Sequence, residues 1–157
     1  MTEQLRIAYK LIGAGWSECT VEAGDSRAEI TASYLSDALG NLVLSAVAVG
    51  SGFGVVVFGF DEEPGEYRWV LQTIENNVVR LRILEFPQLW GYEPNEKGRC
   101  VLEVVTTPLA FAKAVHICAA SVLQEYGIQG YSDAWASHPF PEPQLALLDR
   151  VILDWER

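Results

Sequence analysis

The sequence predicts an α+β fold in one domain, residues 1–157: an antiparallel sheet of about six or seven strands covered by two main helices, with a C-terminal helix closing an edge. Three observations carry this. Apolar residues alternate with period two through the first thirty positions and do so again in paired runs between 55 and 105. A 3.6-residue spacing replaces that alternation in 35–49, in an alanine-rich stretch from 109 to 126, and in 145–155. No internal repeat, low-complexity tract or linker divides the chain.

The opening is a three-stranded meander. Leu5, Ile7, Tyr9 and Leu11 alternate with Arg6, Ala8 and Lys10, and after Gly13-Ala14-Gly15 the residues Ser17, Cys19, Val21 and Ala23 alternate with Glu18, Thr20 and Glu22. Gly24-Asp25-Ser26 turns the chain into Ala28, Ile30 and Ala32. Ser33 or Ser36 is the expected cap of a helix carrying Leu35, Leu39, Leu42, Val43, Ala46 and Val49, which Gly50 or Gly52 ends in a left-handed conformation.

From Ala38 to Phe60 the chain runs 23 residues without a charge, long enough for a membrane helix. Gly50, Ser51, Gly52 and Gly54 break that run at its centre, and neither flank carries the Lys/Arg cluster that fixes topology. The segment is therefore read as a buried helix followed by a central strand, and no membrane association is expected. Val55–Phe60 and Tyr67–Ile74 flank Asp61-Glu62-Glu63-Pro64-Gly65-Glu66, where Pro64 and Gly65 suit a type II turn. A second hairpin turns at Glu75-Asn76-Asn77. Pairing Ile74 with Val78 sets Trp69 opposite Ile83, Leu71 opposite Leu81 and Thr73 opposite Val79 on the core face. The outer face then holds Arg68, Val70, Gln72, Arg80, Arg82 and Leu84.

A last strand alternates Cys100, Leu102 and Val104 with Val101, Glu103 and Val105. Thr107-Pro108 starts the most strongly marked helix, Leu109 to Tyr126, and Gly127 ends it. Tyr131–Ser137 has room for one or two turns. His138-Pro139-Phe140-Pro141-Glu142-Pro143 excludes regular helix, and Leu145, Leu148, Val151, Ile152 and Trp155 restore helical spacing.

Composition narrows the function classes. With 21 acidic and 11 basic side chains the net charge is −10, which repels a phosphate backbone, so a nucleic-acid reader is not expected. Cys19, Cys100 and Cys118 lack the close spacing of metal or redox motifs, and they read as buried thiols in a reducing, cytoplasmic compartment. Folding removes roughly 70% of the unfolded chain's surface from water, so no disulfide or metal is needed to hold the chain.

The strings Thr31-Ala32-Ser33-Tyr34-Leu35-Ser36-Asp37-Ala38-Leu39-Gly40 and Phe60-Asp61-Glu62-Glu63-Pro64-Gly65-Glu66-Tyr67-Arg68-Trp69, with His138-Pro139-Phe140-Pro141, resemble a group of small acidic bacterial proteins with no assigned activity. The resemblance implies a bacterial cytosolic protein and transfers no functional residue. In size, acidity and α+β make-up the chain also resembles immunity proteins of bacterial toxin systems.

No set of side chains is patterned for catalysis, metal binding or a cofactor. Gly50-Ser51-Gly52-Phe53-Gly54 is followed by a β-like run, whereas a phosphate-cradling loop needs a helix there. His116 and Cys118, two residues apart on a helix, point to different sides of it. His138 sits in a proline-bounded loop near Asp133 and Trp135, where it either packs or carries a proton.

The acidic turn stands out instead. Asp61, Glu62, Glu63 and Glu66 crowd six residues; residues 1–66 carry a net −7 while 67–100 carry +1. The bland reading is a solvated loop, and the functional one is a recognition element for a basic protein surface, joined by Trp90 and Tyr92 in the following loop, whose own bland reading is as cover for the core. The leading expectation is thus a non-enzymatic interaction module, immunity-like or regulatory. The alternative is a small anionic-ligand binder or enzyme using the Arg68, Arg80 and Arg82 face with the Trp90 loop. A homodimer through that same face would account for Val70 and Leu84 lying outside the core.

Overall fold

The computed structural model describes residues 4–135 and 138–157. Among these the chain runs β1 (Leu5–Leu11), β2 (Trp16–Ala23), β3 (Ser26–Ser33), α1 (Ala38–Gly50), β4 (Val55–Asp61), β5 (Glu66–Glu75), β6 (Val78–Phe86), a 3₁₀ turn (Asn95–Lys97), β7 (Arg99–Thr106), α2 (Pro108–Trp135) and α3 (Glu142–Trp155). The mixed α+β class is as expected. The strands, however, divide into two antiparallel sheets, β1-β2-β3 and β4-β5-β6-β7, rather than one sheet of six or seven.

The split has a local cause. β3 leads into a helix instead of a hairpin, and where it approaches β4 side-chain hydroxyls take the place of a backbone ladder. Ser33 Oγ donates to the Asp61 carbonyl at 3.1 Å, and the Asp61 N–H donates to Ser36 Oγ at 3.0 Å. Those serines are therefore not helix caps. Asp37 caps α1, its carboxylate accepting the Gly40 N–H at 3.1 Å, so the helix begins after Leu35. Gly52, with φ 98°, supplies the left-handed residue just beyond it.

The meander register places Leu5, Ile7, Tyr9, Cys19, Val21, Ala28, Ile30 and Ala32 inward. The β5–β6 pairing matches expectation at Trp69↔Ile83, Leu71↔Leu81 and Thr73↔Val79, then a bulge gives Glu75↔Val78 and turns Ile74 outward. A second bulge, between Ile83 and Leu84, offsets β7: Leu102 and Val104 face the core, but Cys100 falls on the exposed side. The expectation of three buried thiols therefore fails at Cys100. Cys19 and Cys118 are buried.

α2 is interrupted at Gly127 (φ 71°, ψ 172°) and resumes to Trp135. The remainder of the turns expected over Tyr131–Ser137, Ala136 and Ser137, lies outside the described residues. α3 packs on α1 and α2 rather than closing a sheet edge, with Trp155 Nε1 donating to the Gly50 carbonyl at 2.7 Å. One apolar cluster draws on both sheets and all three helices. No helix among the described residues is long and apolar enough to cross a membrane. The Val55–Phe60 run is not a central strand: β4 is the edge of its sheet.

Candidate functional site

The β4–β5 turn and the loop after β6 form one structure. Trp90 Nε1 donates to Asp61 Oδ2 at 3.1 Å, the Trp90 backbone N–H donates to Glu66 Oε1 at 3.2 Å, and the Leu89 N–H donates to the Pro64 carbonyl at 2.8 Å. Glu62 accepts from the Thr31 hydroxyl at 2.6 Å. Three of the four crowded carboxylates thus hold neighbouring segments, and Glu63 is left exposed at the apex. Their mutual repulsion is offset by these donors, because a charged acceptor makes the stronger hydrogen bond.

The loop so held displays aromatic surface. Trp90 and Tyr92 have φ of 57° and 53°, a left-handed conformation that bulky residues seldom adopt, and they are 55% and 87% exposed. Both of these strained positions face water rather than the core. The bland reading of Trp90 and Tyr92 as core cover is not what the structure contains.

The turn itself differs from the type II expected. The Glu63–Pro64 peptide is cis, and Gly65 is not among the residues with positive φ. Glycine is required for another reason: a Cβ at Gly65 would collide with the Phe86 carbonyl oxygen. Gly65→Ala is expected to push the turn off β6 and cost about 1–3 kcal/mol. Urea denaturation measures that loss, and the Trp90 indole N–H resonance reports release from Asp61.

Beside the tip lies an open cleft of about 480 Å³ lined by Glu62, Tyr67, Glu85, Phe86, Lys97 and Arg99 among others. Arg99 grips Glu85 through Nε (2.9 Å) and Nη2 (2.6 Å), and the Tyr67 hydroxyl donates to the other oxygen of Glu85 at 3.2 Å. Partial burial first, then the negative charges of Glu62 and Glu85, push the Tyr67 phenol up to about 12. It stays protonated as a donor in the physiological range. Sequence reasoning passed over Tyr67, Glu85 and Arg99, although the Tyr67↔Glu85 pairing follows from the hairpin register already in hand.

The arginine face is occupied by its own side chains. Val70, Leu84 and Phe86 form a second buried cluster, and the Arg68 guanidinium lies 4.2 Å over the Phe86 ring while donating to Asn95 Oδ1 at 2.8 Å. Arg80 Nη2 donates to Gln72 Oε1 at 3.2 Å. Val70 and Leu84, paired across the hairpin with Arg82 and Arg68, are already buried within the chain, so two apolar residues outside the main core need no partner to cover them. The buried Nε atoms of Arg80 and Arg82 have no acceptor among the described residues.

The histidines are not brought together with other reactive groups. His116 lies 3.4 Å from Asp149 across α2 and α3, with Cys118 buried elsewhere on the helix. His138 is half-buried beside Phe140, which packs edge-on against Tyr131, and Asp133 instead accepts from Gln129 at 2.8 Å. Among the described residues no three His, Cys, Asp or Glu side chains are grouped to hold a metal.

The geometry thus defines a mixed α+β fold with a hydrogen-bonded acidic and aromatic tip. Set against known proteins, the chain matches no family model, no curated protein and no solved structure.

Proposed function

We propose that the protein is a non-enzymatic, cytoplasmic interaction module, immunity-like or regulatory, that takes a basic protein surface at the tip formed by Asp61, Glu62, Glu63, Glu66, Trp90 and Tyr92. The observation that supports it most is the exposure of Trp90 and Tyr92 in left-handed backbone, fixed by Asp61 and Glu66. Preformed aromatic anchors lose little freedom on docking, and the surrounding carboxylates select a cationic partner and speed its approach.

The test is cross-linking from a photoreactive residue at Tyr92 in the native host, followed by binding of the captured protein to purified variants. Trp90→Ala is expected to weaken that binding by about 10-fold to 100-fold, the range of a hot-spot truncation. Glu63→Lys is expected to slow association with no change in fold. Binding by both variants equal to that of the unaltered protein, or no protein captured from Tyr92, overturns the reading.

A small anionic ligand on Arg68, Arg80 and Arg82 is the second reading, favoured by the acceptorless Nε atoms of Arg80 and Arg82. It predicts a rise in melting temperature with inorganic phosphate that is lost in Arg80→Gln. The clefts beside the tip and between α1 and α3 are lined by other residues, which places this reading second.

A further inference from the structure

The uncharged segment has a peculiarity that the tip does not absorb. Val55-Val56-Val57-Phe58 is apolar on both faces, and among the described residues β4 has a strand, β5, on one side only. Edge strands are ordinarily blunted by lysine, proline or a bulge. β4 has no lysine or proline, and its register with β5 runs unbroken from Val55↔Gln72 to Asp61↔Glu66.

The hydrogen-bond phase fixes which groups face the open side. The Thr73 N–H donates to the Gly54 carbonyl and the Glu62 N–H to the Gly65 carbonyl, so the even-numbered residues of β4 bond to β5. The N–H and C=O groups of Val55, Val57, Gly59 and Asp61 point the other way. Those of Asp61 are taken by Ser36 and Ser33. Val55, Val57 and Gly59 form an open ladder, and their flank is apolar: Phe53 is 64% exposed, Val55 62% and Val57 50%.

We infer that this edge pairs with the same edge of a second copy, β4 antiparallel to β4 about a two-fold axis at Val57. A second copy fits this edge because it offers the same three open residues in the same phase, and, although two molecules of net charge −10 repel overall, the uncharged stretch Ala38–Phe60 lets them meet there without placing like charges side by side. The register is also self-complementary. Val57 faces its own copy, Val55 faces Gly59 of the other molecule, and the open N–H and C=O groups of all three positions find partners. The two four-stranded sheets become one of eight with β4 inside it, and the two tips lie at opposite ends of the assembly.

Sedimentation of the full chain over a wide concentration range tests this, with twice the monomer mass expected. Val57→Lys sits at an exposed position, so the monomer remains folded, and it is expected to sediment as monomer with an unchanged circular dichroism spectrum. In a Cys100→Ser background, Val57→Cys places two thiols across the axis with Cα atoms about 5.5 Å apart, within disulfide reach, and a covalent dimer is expected on oxidation. Val55→Cys separates the paired thiols by about 14 Å along the strands and is expected to stay uncross-linked. A wild-type monomer at every concentration, an undisturbed dimer in Val57→Lys, or equal cross-linking of both cysteine variants overturns the inference.

Discussion

Raising the pH above 9 is expected to unfold the protein in a single cooperative step, before its buried phenols ionise in the native state. Tyr9, Tyr131, Cys19 and Cys118 lie in the core with almost no contact with water. Burial is the first cause holding each protonated; in addition Tyr131 opposes the ionisation of Tyr9, Asp37 opposes that of Tyr131, and Cys118 opposes that of Cys19. Burial alone pushes the Cys118 thiol up to about 12 from an ordinary value of 9.0. All four folded values lie above the unfolded ones, so the folded chain keeps protons that the unfolded chain releases. The stability they contribute is complete below pH 9 and declines as pH rises toward the folded values.

Each such proton costs about 1.4 kcal/mol per pH unit, so two thiols give a slope near 3 kcal/mol per unit above pH 9, and the two phenols bring it to about 5 above pH 10. Total stabilities of about 5–15 kcal/mol are exhausted within a few units at that slope. Urea denaturation across the alkaline range measures the slope directly, and Cys118→Ala is expected to reduce it by one proton. Tyrosinate absorbance should rise together with the loss of far-ultraviolet dichroism. Native dichroism persisting while all the phenols titrate would show that water reaches Tyr9 and Tyr131, contrary to their burial.

What could be read in advance was whatever depends on period and local turn chemistry. The meander register, the Trp69↔Ile83 face of the β5–β6 hairpin and the Thr107-Pro108 helix start are all local decisions, and each appears in the fold. The expected single sheet failed because joining β3 to β4 is a long-range choice, settled by two serine hydroxyls that a sequence reading assigns to a helix cap. Cys100 was misplaced by a one-residue bulge, which reverses every face that precedes it on that strand.

The site was legible in its membership and illegible in its wiring. Crowding marked Asp61, Glu62, Glu63 and Glu66, and loop position marked Trp90 and Tyr92, but nothing in either string shows that Asp61 and Glu66 accept from Trp90 across 29 and 24 residues. The carboxylates therefore act first as acceptors that order the loop and only then as charge. Asp61→Asn accordingly differs from Glu63→Gln: both remove one charge, while only the former weakens the acceptor that positions Trp90.

Trp69→Ala is expected to be the most damaging single substitution in the core. Trp69 is wholly buried on β5, its ring stacked on Phe58 and tilted against Phe60 with centroids 5.2 Å away in each case, and Tyr9 meets Phe60 edge-on at 6.5 Å. That chain of rings joins β4 and β5 to the meander, so deleting the indole leaves a cavity between the two sheets that neither can close without breaking its own ladder. The expected loss is about 3–5 kcal/mol, read as a lower urea midpoint with the denaturant slope preserved. Trp69→Phe distinguishes volume from polarity. The Trp69 Nε1 hydrogen is buried without an acceptor among the described residues, so phenylalanine gives up ring area while removing an orphan donor whose burial costs about 1–3 kcal/mol, and the net loss should be under about 2 kcal/mol. If alanine and phenylalanine prove equally damaging, the indole nitrogen has a partner and the packing account fails. If both are mild, the sheets do not meet through Trp69. Because Phe58 lies on β4, the alanine variant should also speed amide exchange at Val56 and Phe58 ahead of the rest of the sheet, loosening the strand whose outer edge carries Val55 and Val57.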